Sequence, residues 1–369
     1  MSRRSFGFAA LVALLFACAA RADETNRYLY VVAPGVRDYQ EFGGAGILVF
    51  DIDHGHRFVK RIATPASDVA KPENIKGVVA CAATKRLYFT TLTKLYCVDL
   101  VSEKTIWEKK LDGGCDRPAI TPDGKMLFVP SLEGPHWNVV DGESGDAIRK
   151  IVRNSGAHNT VCSLDGERAY LAGLKSPLLA VVDTKTFDVT EVGPFSAPIR
   201  PFTVNGDRSR CYVTVNKLLG FEIGDLKTGK MLHRVEVPGY KTGPVKRHGC
   251  PSHGVGLTPN EHEVWVVDAF NQAVHIFDNT TDPPKYSASL KVKEEPGWVT
   301  FSIRGDYAYP STGEVFDVTT RKKLTDLKDE KDRNVMSEKM LEIDFKNGMP
   351  VDAGDQFGVG RIPKRKVVR

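Results

Sequence analysis

A short apolar run closed by an aspartate keeps returning along the chain: ILVFD ending at Asp51, LYCVD at Asp99, WNVVD at Asp141, LAVVD at Asp183, FEIGD at Asp225, VHIFD at Asp278 and GEVFD at Asp317. Successive acids lie 48, 42, 42, 42, 53 and 39 residues apart, so the chain is a series of seven units of similar length. An aromatic in a strand-like triplet travels with the acid, at Tyr30, Tyr88, Phe128, Tyr170, Tyr212 and Trp265, with a less distinct copy around Tyr309. Ahead of the aromatic comes a turn, as in TPDGK (121–125), SLDGE (163–167), NGDRS (205–209) and TPNEH (258–262). Asp-Gly and Asn-Gly between apolar runs are hairpin signals, because glycine accepts the positive φ that tight hairpins need.

Each unit reads as four short strands, illustrated in the third by RPAIT, KMLFVP, WNVVD and AIRKIV. The runs are rich in Val, Ile, Tyr and Phe and lack helical periodicity. The expected fold is all-β: a seven-bladed β-propeller of four-stranded antiparallel blades. Packing of each blade between two neighbours explains near-continuous apolar triplets in place of strict alternation. At the amino-terminal end RYLYVVAP has the pattern of a second strand with no first strand before it. SEKMLEIDFKNG, near the other end, supplies a first strand followed by Asn347-Gly348 in the turn position. The carboxy-terminal strand is therefore expected to join the amino-terminal blade and close the ring, leaving no open sheet edge.

The first 22 residues break the pattern. A basic start, an apolar run from Phe6 to Ala20 and the small-x-small triplet Ala20-Arg21-Ala22 describe a secretory signal peptide. Ser2-Arg3-Arg4-Ser5-Phe6 also resembles a twin-arginine export signal, whereas Phe16 is bulky for a lipoprotein processing site ending at Cys18. The expected organisation is a leader over 1–22, the propeller over 23–360 and a basic tail over 361–369, with a periplasmic or extracellular location and a monomeric state. No other segment has the length of a transmembrane helix. The formal charge is +5 for the whole chain, and loss of Arg3, Arg4 and Arg21 with the leader leaves +2, which argues against nucleic acid as a partner. Six cysteines follow the leader, at 81, 97, 115, 162, 211 and 250. They are too dispersed for a disulfide scaffold, and four sit in or beside strand runs, as small buried thiols do.

Cys211-Tyr212-Val213-Thr214-Val215-Asn216 resembles the YVTN signature of exported bacterial YVTN-repeat propellers, and TPDGK followed by VVD resembles the same repeat. The resemblance covers the chain after the leader at the level of the repeat. It implies the seven-bladed fold, and relatives of that family that are lactonases or redox and haem-binding domains imply little about a particular activity.

Extra residues cluster at one face. The long connections 33–46, 131–137, 239–251 and 327–338 all belong to strand junctions on the side where inner strands begin, and loops on a rigid scaffold are where binding resides. Counting back seven residues from the turn acid marks the blade entrances at Lys76, Asp116, His158, Arg200, His253, Gly297 and Met340. Lys76, Asp116, His158, Arg200 and His253, with Trp298 beside Gly297 as a stacking face, are the candidate ligand-binding residues at the channel mouth. Lysine and arginine there suit a small polar or anionic ligand.

The stretch RHGCPSHG (247–254) adds a second possibility. His158, His248, Cys250 and His253 are candidate ligands for a divalent metal such as zinc or copper, although the H-x-C-x-x-H spacing matches no established motif. A lactonase-like or metal-dependent hydrolase would draw its base from Asp116, His158 and His253. G-x-S-x-G, H-E-x-x-H and C-x-x-C-H are absent, which disfavours serine hydrolases, zincins and c-type haem. The function expected from the sequence is a ligand- or protein-binding scaffold acting through the channel mouth, with the enzyme as the alternative.

Overall fold

The computed structural model describes residues 25–362. The expected leader and nearly all of the basic tail lie outside the described residues. Seven antiparallel sheets form the ring, six of four strands and one of five. Blade 1 is completed by both ends of the chain: Met340–Lys346 is its inner strand, followed outward by Thr25–Ala33, Gly46–Asp51 and Arg57–Ile62. The inner strands of blades 2 to 7 are Gly77–Cys81, Ala119–Ile120, Ala157–Cys162, Ile199–Val204, Val255–Leu257 and Val299–Phe301. Among the described residues there is no helix, and hence none long and apolar enough to cross a membrane.

The repeated aspartate has a local cause. Each one ends the third strand of its blade and accepts backbone N–H groups from the turn that follows: Asp99 from Val101 and Ser102 (3.0 and 2.6 Å), Asp141 from Glu143 and Ser144 (3.0 and 2.8 Å), Asp225 from Lys227 and Thr228 (2.7 and 3.1 Å). The carboxylate mimics a backbone acceptor and fixes the turn into the outer strand. Those N–H groups hold the three carboxyls below the ordinary aspartate range. On the same face Gly124 and Gly166 take φ of 72° and 71° in the Asp-Gly turns between first and second strands.

Blades pack through large side chains of their inner and middle strands. Phe221 of blade 5 and Phe277 of blade 6 meet edge to face at 5.1 Å, and Trp265 of blade 6 meets Phe301 of blade 7 in the same way at 5.4 Å. Burying each such ring contributes roughly 1.5–3 kcal/mol. The outermost strands have one wet side, as in Thr105–Lys110, whose residues alternate between exposed and half-buried. All six described cysteines are free thiols, five of them buried.

Closure follows the expected pairing. Thr25–Ala33 and Met340–Lys346 run antiparallel, from Thr25 opposite Lys346 to Val31 opposite Met340. Across this seam the buried Arg27 donates from Nε to Glu342 Oε1 at 2.8 Å, and Glu342 is fully buried. Two residues along the strand, burial together with the neighbouring Glu342 raises Asp344 to about 7, against Arg27 and Arg304. The folded chain therefore keeps a proton that the unfolded chain gives up near the ordinary value of 3.8. Stability contributed by this group is complete below about pH 4 and declines as pH rises towards 7. Asp344→Asn is expected to flatten that decline, read as urea midpoints compared at about pH 5 and about pH 8. Equal pH dependence in both proteins would contradict it.

Beyond Asn347-Gly348 the chain does something the repeat did not foretell. The pair forms a hairpin, with φ of 53° and 76°, and Met349–Ala353 turns back as a fifth strand against the inner strand of blade 1. Residues 354–361 then cross the channel as a plug. Gln356 Oε1 accepts from Val78 N in blade 2, Gly358 O accepts from Leu257 N in blade 6 and Thr203 Oγ1 in blade 5, and Gly360 N donates to Val204 O. Phe357 is buried among Val161, Phe202 and Trp298. The central channel is thus blocked by the chain itself, and the mouth is a cup with a floor.

Candidate functional site

The cup is a cavity of about 130 Å³ on the face that carries the long loops. All four long loops reach it: Val36 and Arg37 from the first, Glu133 from the second, Arg247 and His248 from the third, and Glu338 from the fourth, with His253 and Lys339 just after the last two. Inner strands and their approaches supply Lys76, Arg117, His158 and Arg200. Six basic side chains and two carboxylates line the cavity. That small volume admits a ligand of a few heavy atoms, comparable to the ~150 Å³ cavity that holds one benzene.

Two of the entrance side chains owe their direction to bulges. The pairing of blade 4 slips between Ala157 and Asn159, and that of blade 5 between Ile199 and Phe202. His158 is the extra residue in blade 4, and in blade 5 Arg200 is one of two residues set against Thr214; both line the cup, the re-aiming that bulges accomplish next to sites.

Asp116 is the buried hub on one side. Its Oδ2 accepts from His158 Nδ1 at 2.6 Å, its Oδ1 lies 3.4 Å from Lys76 Nζ, and Arg117 Nη1 is 3.6 Å from the same oxygen. Burial pushes this carboxyl up, but His158, Lys76 and Arg117 outweigh it and hold it well below the carboxylate range. Burial keeps His158 below its ordinary value against the pull of Asp116. The imidazole is therefore neutral at pH 7, with Nδ1–H on the carboxylate and the Nε2 lone pair 3.4 Å from Arg117 Nη1.

Glu338 is the hub on the other side. Oε2 takes Arg117 Nη2 at 2.5 Å and Lys339 Nζ at 2.7 Å, and Oε1 lies 3.3 Å from His248 Nδ1. Burial opposes its ionisation, and Lys339, Arg117 and His248 reverse that, so the group is a carboxylate. Lys339 is pushed down to about 7, by burial first and by Arg117 next. His253 donates Nδ1–H to Gly297 O at 3.0 Å, and His248 Nε2 lies 3.3 Å from Glu295 O. Burial holds both imidazoles below their ordinary value. Gly297 is a glycine because a Cβ there would come within 2.3 Å of His248 and 2.4 Å of Glu338.

Lys76, His158, Arg200 and His253 line one cavity, and Asp116 is fully buried behind its wall, holding His158 and Lys76. Trp298 has another part: it is buried in the floor, donates its indole N–H to Gln356 O, packs on Phe357 at 5.4 Å and carries the Arg117 guanidinium 4.5 Å from its ring centroid. Its face is covered, so it is a support and not a free stacking surface for ligand. Of the four candidate metal ligands, His248 and His253 stay together, and Glu338 completes a group whose ligand atoms lie within 4.8 Å of one another. His158 is held by Asp116, and the buried Cys250 thiol, raised to about 12 by burial, donates to Ser252 O. Met340, counted as the seventh entrance, is core; Glu338 and Lys339, just before it, face the cup instead. Arg117, Glu338 and Lys339 were not singled out from the sequence.

A larger cavity, about 410 Å³, lies on the opposite face between the plug and the inner strands of blades 2 to 4. Its walls are mainly apolar, among them Val79, Ile120, Val161 and Phe357, and its ion pair, Asp352 with Arg361 at 3.3 Å, is satisfied internally. Size favours that cavity; convergent charge and bulge-aimed side chains favour the cup, and these are what confer chemistry.

No family model matches the chain, and no curated protein does. Among solved structures the chain is similar to the β-propeller domain of Cps50 (Swd1) from Myceliophteria thermophila, at 11% identity over 68% of this chain and 85% of that one with a TM-score of 0.55. It is also similar to dihydro-heme d1 dehydrogenase NirN in complex with DHE, at 13% identity over 90% and 75% with a TM-score of 0.57. Hydrazine synthase from Kuenenia stuttgartiensis matches at 13% identity over 67% and 93%, with a TM-score of 0.44 too low to bear on the question. At these identities the likeness is one of architecture, so the resemblance to YVTN-repeat proteins extends as far as the fold, and the chain is a seven-bladed β-propeller.

Proposed function

We propose that the protein is an exported binding scaffold whose channel-mouth cup captures one small anion of the carboxylate or phosphate class. Export is supported by the leader pattern over 1–22. The observation that carries the binding reading is an excess of positive charge converging on a small, partly dehydrated volume. Arg117 and Lys339 share Glu338, Lys76 faces Asp116, and Arg247 lies 3.6 Å from Glu295. Arg200 uses Nε on Asn216 Oδ1 at 2.6 Å, and among the described residues no carboxylate pairs with Arg200 or Arg37. Two parallel bonds from the Arg200 guanidinium suit a planar carboxylate or a phosphate.

The hydrolase reading has one observation in its favour, the Asp116–His158 pair at 2.6 Å, which has the geometry of an oriented general base. Arg117 lies against the lone pair such a base would use, which favours binding over proton transfer.

Calorimetric titration with inorganic phosphate and with oxalate, at low salt and with EDTA present, tests the proposal. One-to-one binding is expected, weakened about 10- to 100-fold by Arg200→Gln, the cost of one charged hydrogen-bond pair. Arg200 is half-buried and at the cup wall, so the melting temperature should change little. Absence of binding at millimolar anion, or equal affinity in the variant, would overturn the reading.

A further inference from the structure

The geometry points to a divalent transition-metal site at the cup wall, held by His248, His253 and Glu338. The ligand set is two imidazoles and one carboxylate, a combination that suits zinc and its borderline neighbours. His248 Nδ1 and Glu338 Oε1 are already 3.3 Å apart, the edge of a tetrahedron with metal–ligand bonds of about 2.0–2.1 Å. His253 is the remaining ligand; its ring lies 4.8 Å from that of His248, and all three ligand atoms fall within 4.8 Å of one another. A small turn of the His253 ring closes the set.

The surroundings are those of a metal site. Metal-bound histidines donate their second N–H to a carbonyl or carboxylate, which fixes the tautomer and aims the lone pair. His253 Nδ1 faces Gly297 O and His248 Nε2 faces Glu295 O, leaving His253 Nε2 and His248 Nδ1 as the free lone pairs. Glu338 is oriented in the same way: Arg117 and Lys339 occupy Oε2, so Oε1 is the oxygen presented to the histidines. Gly297 removes the one side chain that would fill the space beside them. The two nearby cations lower the affinity for a dication, so binding in the micromolar range is expected. All three residues line the cup, and the ion's open position faces it.

This inference does not depend on capture of an anion. EDTA-stripped protein is titrated with Zn²⁺ alone, in a buffer free of phosphate and carboxylates, and separately with Co²⁺ to record the visible spectrum. One equivalent should bind, and the cobalt spectrum should lack the thiolate-to-cobalt charge-transfer band. His253→Gln and His248→Gln should each weaken binding at least about ten-fold, the loss that follows removal even of an outer partner. Both leave the Arg117–Glu338–Lys339 cluster in place, so folding is checked by circular dichroism and Glu338→Gln serves only as a third variant. Three results would each overturn the site: no binding at millimolar Zn²⁺, unchanged affinity in both histidine variants, or a thiolate band that disappears in Cys250→Ser.

Discussion

Arg27→Ala is expected to lower the stability of the ring by about 3–5 kcal/mol, the cost of removing one partner from a buried ion pair. Arg27 stands on the first described strand and Glu342 on the inner strand Met340–Lys346, so the pair spans the seam that closes the ring. Its guanidinium also reaches Asp306 Oδ2 at 3.2 Å in blade 7, tying blade 1 to its neighbour. Without it Glu342 is left fully buried, with the backbone N–H of Ile303 at 2.7 Å on its other oxygen. Most of the loss comes from that stranded carboxylate and not from the missing contact. Arg27→Ala combined with Glu342→Gln should therefore recover a large part of it, measured as the shift in urea midpoint. A single-variant loss below about 1 kcal/mol would mean that the seam is held by backbone pairing alone.

Arg117→Met is the second large effect. Arg117 is almost fully buried and links four blades: its backbone N–H groups with Asp116 and His158, its guanidinium pairs with Glu338, and it rests on Trp298. Methionine preserves bulk against the indole and removes the charge. Destabilisation of roughly 3 kcal/mol is expected, the low end for a broken buried pair because Lys339 remains on Glu338. Anion affinity should fall together with stability, whereas Arg200→Gln lowers affinity with little change in stability. That contrast separates the residue that builds the cup from the one that grips. Arg117→Met with wild-type stability would remove Arg117 from the centre of the account.

The ring was legible because its grammar is local. An aspartate that caps a turn must sit at the end of the third strand, and an Asp-Gly turn must lie between the first two, so seven copies declare seven blades. Closure is legible because Tyr28 to Val32 pairs outward with Gly46–Asp51 but has no inner strand before it in its own unit, and Leu341 to Phe345 supplies one. Of the cup, counting from turn to entrance finds Lys76, His158, Arg200 and His253, with Asp116 behind them, because the stretch from blade entrance to turn keeps one length in successive units.

What counting missed has physical reasons. In blade 3 the inner strand pairs over Ala119–Ile120 alone, so the counted residue Asp116 is buried behind the wall and its neighbour Arg117 is the one that reaches the cup. At the closure blade the count arrived at Met340, one residue past Lys339, and successive residues of an extended chain face opposite ways. The plug left no periodic signal at all. DAGDQFGVG has neither alternation nor a turn motif, because its hydrogen bonds are scattered over five blades, to Glu342, Val78, Thr203 and Val204, Leu257, and Trp298 and Thr300. Trp298 was found by position and misjudged in role for the same reason: the ring that covers it, Phe357, belongs to a segment with no pattern.

The central claim is that cations from separate blades converge on one small anion at the mouth. The most direct measurement is a crystal structure of the protein soaked in selenate, with the anion located by its anomalous signal. The account predicts a single strong peak within hydrogen-bond distance of the Arg200 guanidinium and in reach of Lys76, inside the wall formed by Arg117 and Lys339. A cup without such a peak, or the strongest peak in the apolar cavity on the other side of the plug, would contradict it.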